Sequence, residues 1–104
     1  MIQIIENNKH LEELKINTPY SLSTDLFNDS DEYPASISLV SPSCGSCTVA
    51  RVDKILIQPK EKVQLHYTFT PNSTGFNSKR VNITYTQNGI SNTVTFNFNA
   101  NVEP

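Results

Sequence analysis

Two cysteines, Cys44 and Cys47, are the residues whose chemistry and spacing stand out. They form a Cys-x-x-Cys pair within residues 43–48, between two strand-like runs. Such a pair can be a disulfide, half of a tetrahedral zinc site or a redox centre. Zinc needs four ligands, and the chain offers only His10 and His66 as nitrogen donors.

A thioredoxin-type redox role needs the pair at the N-terminus of a helix, which lowers the pKa of one thiol. Here a run typical of a β-strand follows the pair instead. We therefore interpret Cys44 and Cys47 first as packed thiols at a structural corner. A disulfide is the second interpretation, and a metal or redox site is the third. The sequence predicts neither a metal nor a cofactor.

An acidic segment and a histidine are two further candidates. Asp25, Asp29, Asp31 and Glu32 carry the oxygen ligands that calcium prefers. The segment lacks the glycine and the distal glutamate of a calcium loop, so we interpret it as a solvated turn. His66 has no serine, cysteine or carboxylate beside it in the sequence, which favours an exposed strand histidine over a general base. With no nucleophile, base and orienting group in view, the sequence predicts a protein that is not an enzyme.

The elements that carry these residues have a period of two. Apolar and polar residues alternate in three runs, at residues 63–70, 81–86 and 94–102. This alternation is typical of half-buried antiparallel strands. Turn sequences separate the runs, and Asn88-Gly89 is the strongest hairpin signal. About seven to eight short strands predict an all-β fold, an Ig-like antiparallel β-sandwich over residues 16–104.

The first fifteen residues are less regular. Leu11 and Leu14 lie near helical spacing, which allows one helical turn that is too short to be stable alone. The isoleucines within residues 2–5 allow an edge strand or an arm that packs on a neighbour. We assign residues 1–15 to an N-terminal arm or edge strand.

Charge and hydropathy exclude some partners. The net charge of −2 offers no basic field for nucleic acid or for an anionic membrane. No apolar run approaches the roughly 18 residues that a membrane-spanning helix needs. Residues 1–6 lack the pattern of a signal peptide, so we expect a protein kept in a cytoplasm, where thiols stay reduced.

The order of short motifs resembles a known family. In chain order these are Asn28-x-Ser30-Asp31-x-x-Pro34, Ile37-x-Leu39-Val40, the loop at 43–48, Ile57-x-Pro59-x-Glu61, Phe69-Thr70-Pro71, Gly75 and the run at 94–102. Together they resemble the uncharacterised bacterial Ig-like family with a Cys-Gly-Cys-Thr loop, which is similar to Hydin-type and major-sperm-protein-type sandwiches. The resemblance covers roughly residues 16–102, and Ser46 makes the loop read Cys-Gly-Ser-Cys. The resemblance implies an Ig-like sandwich used in adhesion or scaffolding, and it does not imply a reaction.

The last two strand runs also predict a surface, because such strands are neighbours in one sheet of an Ig-like sandwich. Their outward positions hold only threonine and asparagine, and we call this set the Thr/Asn ladder. Its members are Asn82, Thr84, Thr86, Thr93, Thr95, Asn97, Asn99 and Asn101. Solvated faces usually mix lysine and glutamate. An uncharged face therefore favours docking on another protein, with simple solvent exposure as the alternative.

We therefore expect a non-enzymatic structural or protein-binding module. The preferred version is a small bacteriophage virion component, either a capsid decoration or a tail accessory protein, assembled in the host cytoplasm. The alternatives are a cytoplasmic scaffold or adaptor domain and a metal-binding or redox module at Cys44 and Cys47. The expected partners are capsid, tail or scaffold subunits or further copies of this chain, and neither nucleic acid nor a membrane.

Overall fold

A computed structural model describes all residues from 1 to 104 as a sandwich of nine β-strands. In chain order the strands are β1 (Ile2–Ile4), β2 (Asn8–Lys15), β3 (Tyr20–Asn28), β4 (Ala35–Pro42), β5 (Thr48–Val52), β6 (Leu56–Ile57), β7 (Lys62–Phe69), β8 (Gly75–Gln87) and β9 (Ile90–Glu103). No helix with the length and apolar character to cross a membrane is present. The predicted all-β, Ig-like sandwich is confirmed.

The strands divide into two sheets. One sheet has the order β1-β3-β7-β5, and the other has the order β2-β9-β8-β4-β6. Neighbouring strands are antiparallel except for β2 and β9, which are parallel. The two longest strands, β8 and β9, lie inside the five-stranded sheet, so they are not edges. The outer face of that sheet is therefore a broad surface centred on β8 and β9.

The alternating runs supply the core between the sheets. Tyr67, Phe69, Phe96 and Phe98 form one aromatic cluster, with ring centroids 5.0 to 5.9 Å apart. All four side chains are buried. Their contacts are tilted, edge-to-face and, for Phe96 and Phe98, stacked, and aromatic pairs prefer edge-to-face and offset-stacked arrangements. The core thus forms where the strongest period-two runs of the two sheets face each other.

The N-terminal residues contribute one edge strand to each sheet. β1 pairs with β3, and β2 pairs with β9. Leu11 and Leu14 are both buried, although they lie three residues apart in a strand. The register shifts between them, and such a bulge brings residues three apart to the same face. The helical turn that this spacing allowed is therefore absent.

A second bulge changes which residues of β4 face the core. The register shifts between Ile37 and Leu39, so Ile37 and Val40 pack inward. Strict alternation would place Leu39 in the core beside Ile37, but its side chain is 56% exposed. Leu39 therefore lies on the outer face of the five-stranded sheet, in register with Thr84.

Asn28 ties the end of β3 to the turn that follows it, to β6 and to β8 at one end of the sandwich. Its side chain is fully buried. Nδ2 donates to the carbonyl oxygens of Tyr33 at 2.9 Å and Ile57 at 3.1 Å. Oδ1 accepts from the Ser30 N–H at 3.1 Å and from Gln87 Nε2 at 2.9 Å. The bond to Ser30 is an Asx turn, which explains how the chain reverses after β3.

Candidate functional site

The paired strands β8 and β9 carry the Thr/Asn ladder on the outer face of the five-stranded sheet. Asn82 lies opposite Thr95, and Thr84 lies opposite Thr93. Thr95 Oγ1 donates to Asn82 Oδ1 at 2.8 Å, and the hydroxyl oxygens of Thr84 and Thr93 are 3.2 Å apart. Cross-strand pairs of this kind stabilise a sheet and also hold its surface groups in place.

The other ladder residues lie on the same face but have different neighbours. On β8, the residues opposite Asn97, Asn99 and Asn101 of β9 are Arg80, Ser78 and Phe76. Thr86 of β8 lies opposite Ser91 of β9. On the other side of β9, His10 of β2 forms a hydrogen bond between its Nδ1 and Asn99 Oδ1. The structure thus brings all eight predicted residues together on one face.

Among the residues of this face that the sequence did not predict, three change its chemical character. Arg80 places a positive charge beside the ladder, so the face as a whole carries a charge that its eight named members do not. Phe76 and Leu39 add exposed apolar groups, at 67% and 56% exposure. Counting back by twos from Thr84 would have found Arg80 and Phe76. Nothing in the sequence pattern marks the bulge that turns Leu39 outward.

Asn77 helps to explain why the sequence pattern did not predict a strand over the first half of β8. It takes an inward position that a period-two run would fill with an apolar residue. Its Nδ2 donates to the carbonyl oxygens of Ser73 and Gly75 at 3.1 and 3.2 Å, and its Oδ1 accepts from Ser73 Oγ at 3.1 Å. Because local bonds satisfy the buried amide, the strand tolerates it.

Cys44 and Cys47 are joined as a disulfide, with their Cα atoms 5.4 Å apart, rather than left as two packed thiols. The N–H groups of Cys47 and Thr48 both donate to the Cys44 carbonyl oxygen, at 3.3 and 2.9 Å. This tight turn brings the two sulfur atoms together. The loop connects β4 of one sheet to β5 of the other, so it lies at a corner of the sandwich.

His66 has a carboxylate partner that the sequence did not indicate. Its Nε2 lies 2.7 Å from Asp53 Oδ1, and Arg51 lies 3.8 Å from the same oxygen. Ser23 of β3 is in register with His66 of β7, but no hydrogen bond joins their side chains. Arg51, Asp53 and His66 therefore form a polar group on a strand surface, without the nucleophile–base contact of an acyl-transfer site.

The four acidic candidates for calcium do not converge on one point. Asp29 accepts hydrogen bonds from the N-terminal ammonium group and from Gln3 Nε2, in that order of effect, and these lower its pKa. Asp31 forms an ion pair with Lys60 at 3.3 Å. Nowhere do three or more His, Cys, Asp or Glu side chains form a group that could hold a metal ion.

A groove of about 540 Å³ separates β2 from the start of β3. Leu11, Leu14, Tyr20 and Leu22 contribute its apolar lining. At one end the Tyr20 hydroxyl accepts a hydrogen bond from the Lys15 N–H at 2.8 Å. β2 has a strand neighbour on one side only and carries charged side chains, which is how natural proteins protect an edge from pairing.

The model of one protein family matches residues 2–102 of the chain. Its description is "protein of unknown function (DUF1573)". The chain belongs to this family. No curated protein sequence matches it. The Cys-Gly-Cys-Thr loop that the resemblance associates with the family stays a prediction.

Solved structures with the same fold include the ASH/PapD-like domain 7 of human CEP192, with a TM-score of 0.69 and 13% identity over 98% of this chain and 84% of that one. WR4, a C. elegans MSP family member, has a TM-score of 0.65 and 14% identity over 99% of this chain and 98% of that one. The periplasmic chaperone SfaE has a TM-score of 0.72 and 8% identity over 100% of this chain, which spans only 59% of SfaE. Identities this low show the fold alone, and they confirm an Ig-like sandwich that is similar in fold to the PapD and MSP types.

Proposed function

We propose that this chain is a protein-binding module that acts through the outer face of its five-stranded sheet. The observation that carries the proposal is the Thr/Asn ladder, whose eight uncharged hydrogen-bonding side chains occupy the two central strands. The fold supports the same general role, because one structural neighbour is named as a periplasmic chaperone. Fold likeness alone does not assign a function, so the proposal rests on the face.

The size of the face fits a protein partner. The 13 residues of β8 extend for roughly 43 Å at about 3.3 Å per residue. Together with its neighbours at about 4.8 Å spacing, this strand gives a surface of roughly 600–800 Å². A standard protein–protein interface buries about 800 Å² on each partner. The face is therefore large enough for one specific contact without further elements.

The chemistry of the face provides both anchors and a prearranged surface. Phe76 and Leu39 are exposed apolar groups, and buried apolar anchors commonly dominate binding energy. The bonded pairs Thr84–Thr93 and Asn82–Thr95 already hold their side chains in one arrangement. Binding through such groups loses less side-chain entropy than binding through mobile lysines.

A pair of charge substitutions tests the face. Thr95→Lys with Asn97→Glu puts two charges in the centre of the ladder, and the partner captured from a lysate of the source cell should no longer bind. The matched control is Ser21→Lys with Ser23→Glu on the outer face of the other sheet, where Ser21 is bonded across the strands to Thr68 at 3.0 Å. We expect the control to capture the same protein as the unsubstituted chain.

Two outcomes would reject the ladder as the interface. Unchanged capture by the ladder variant would do so directly. Loss of capture by the control alone would move the interface to the four-stranded sheet or to the groove beside β3. Sedimentation of the unsubstituted chain and both variants measures their self-association, and so tests the case in which the partner is a second copy of the chain.

The narrower assignments stay proposals. None of the structures reported above is named as a virion protein, so the bacteriophage capsid or tail role rests only on the suitability of the module for assembly. Detection of the chain in purified phage particles would support it. Its absence from particles of a phage that encodes it would leave the cytoplasmic scaffold or adaptor role. The absence of enzymatic activity also remains a prediction.

A further inference from the structure

The two cysteines of the disulfide differ in accessibility. Cys47 is only 3% exposed, whereas Cys44 is half-buried. Gly45 and Ser46 between them are exposed, and a side chain added at Gly45 would meet no atom within 4 Å. A reagent in solvent therefore has an open approach to Cys44 and not to Cys47, and access is one of the factors that decide which sulfur a thiolate attacks.

The buried sulfur has a hydroxyl group beside it. Thr48 Oγ1 lies 3.6 Å from Cys47 Sγ, and Thr48 is itself buried. A disulfide sulfur carries no proton, so the hydroxyl must be the donor in this contact. A hydrogen bond of this kind strengthens when its acceptor becomes an anion. Thr48 is thus placed to stabilise Cys47 as a thiolate when the disulfide opens.

The loop backbone is held independently of the disulfide. Ser43 and Arg80 are joined by two hydrogen bonds, from the Ser43 N–H to the Arg80 carbonyl at 2.8 Å and from the Arg80 N–H to Ser43 Oγ at 3.1 Å. The Thr70 N–H donates to the Cys47 carbonyl oxygen at 2.8 Å. Both ends of the loop stay attached to neighbouring strands after the disulfide opens, so the two cysteines stay within reach of each other.

From this geometry we propose that Cys44–Cys47 is a site of reversible exchange with small thiols of the glutathione class. In the first step a glutathione thiolate attacks Cys44 Sγ, a mixed disulfide forms there, and Cys47 leaves as a thiolate. In the second step another glutathione thiolate attacks the glutathione sulfur of the mixed disulfide and releases Cys44 as a thiolate. Two glutathione molecules are oxidised to their disulfide, and the protein disulfide is reduced to two thiols. The proposal is independent of the Thr/Asn ladder.

The unsubstituted protein gives the first test. The oxidised chain is mixed with millimolar reduced glutathione, quenched with acid and digested, and the adduct is located by mass spectrometry. We expect the glutathione adduct on Cys44 in at least tenfold excess over Cys47. Re-addition of glutathione disulfide should restore the Cys44–Cys47 bond. Adducts divided equally between the two cysteines, or no reaction in the folded protein, would overturn the proposal.

Single-cysteine variants give the second test. In Cys47→Ser the Cys44 thiol should react with an aromatic disulfide reagent at least tenfold faster than the Cys47 thiol in Cys44→Ser. The difference should vanish in concentrated urea, which shows that the fold causes it. Equal rates in the folded variants would contradict the assignment of Cys44 as the attacked sulfur.

Thr48 tests the role of the hydroxyl. Thr48→Val should slow the opening of the disulfide by glutathione about threefold to tenfold, because Cys47 leaves without its hydrogen bond. Thr48→Ser keeps the hydroxyl and should restore the rate. Equal rates for the valine and serine variants would show that the contact has no part in the exchange, and would remove Thr48 from the proposal.

Discussion

A single substitution at Asn28 should change the free energy of unfolding in a way that tests the hydrogen-bond network around it. Its amide makes hydrogen bonds to Tyr33, Ile57, Ser30 and Gln87 in a fully buried site. Asn28→Ala removes all of them with little change in backbone preference. Asn28 Oδ1 is the acceptor that forms the turn with the Ser30 N–H, and this N–H has no other partner. The substitution therefore leaves the Ser30 N–H without a hydrogen bond.

The size of the loss follows from the bonds. Each buried hydrogen bond contributes about 0.5–1.5 kcal/mol net, and an unsatisfied buried group costs about 1–3 kcal/mol. Gln87 Nε2 and the Tyr33 carbonyl oxygen stay bonded to each other at 2.9 Å, so the full sum is not lost. We expect Asn28→Ala to lower the free energy of unfolding by about 3 kcal/mol. This is a large part of the 5–15 kcal/mol typical of a domain.

Urea denaturation followed by circular dichroism measures this loss. With a slope of about 1–3 kcal/mol/M, the midpoint should fall by roughly 1–3 M. Asn28→Asp should be at least as destabilising at pH 7, because its carboxylate would face the carbonyl oxygens of Tyr33 and Ile57. The control Asn101→Ala changes an exposed asparagine and should cost less than about 0.5 kcal/mol. A loss below about 1 kcal/mol for Asn28→Ala would refute the view of Asn28 as the centre of this network.

Three smaller effects are also expected. Thr24 has a buried hydroxyl without a hydrogen-bond partner, so Thr24→Val should raise the free energy of unfolding by about 1 kcal/mol in the same urea assay. Thr95→Lys with Asn97→Glu should cost about 1 kcal/mol, since it removes the bond to Asn82, and a loss above about 3 kcal/mol would mean that the binding assay reports unfolding. The folded-state pKa of Asp29 is lowered below its ordinary value of 3.8, so its interactions stabilise the fold above that pH and are lost as the pH falls through the folded-state pKa. Asp29→Asn should therefore be less stable than the unsubstituted chain at pH 7, with the difference vanishing at the acid end of a thermal-melt series; a constant difference would contradict this.

The sequence predicts best where a strand is regular and both its faces are distinct. In β7 and β9 the alternation identifies the core residues Tyr67, Phe69, Phe96 and Phe98. The position of the ladder on one outer face follows from the same parity. These features depend on one strand at a time, and a period-two pattern records them directly.

The sequence predicts least where a bulge or a distant contact decides the outcome. The bulge between Leu11 and Leu14 imitates helical spacing, and the one after Ile37 turns Leu39 outward. Partners far apart in the chain are equally hidden, as with Asn28 and Gln87, which lie 59 residues apart. Register between strands is a property of the assembled sheet, so no local pattern predicts these contacts.

The ladder and the disulfide should respond to different perturbations, because different parts of the fold position them. The register of the ladder follows from the hairpin between β8 and β9, where Asn88 and Gly89 both have positive φ, at 52° and 73°. This is the backbone of a type I′ turn, which sets the pairing of the strands locally. Reduction of Cys44–Cys47 leaves that hairpin intact, so a partner that binds only the ladder should bind the oxidised and reduced chains equally. A partner whose affinity changes on reduction therefore does not bind through the ladder alone.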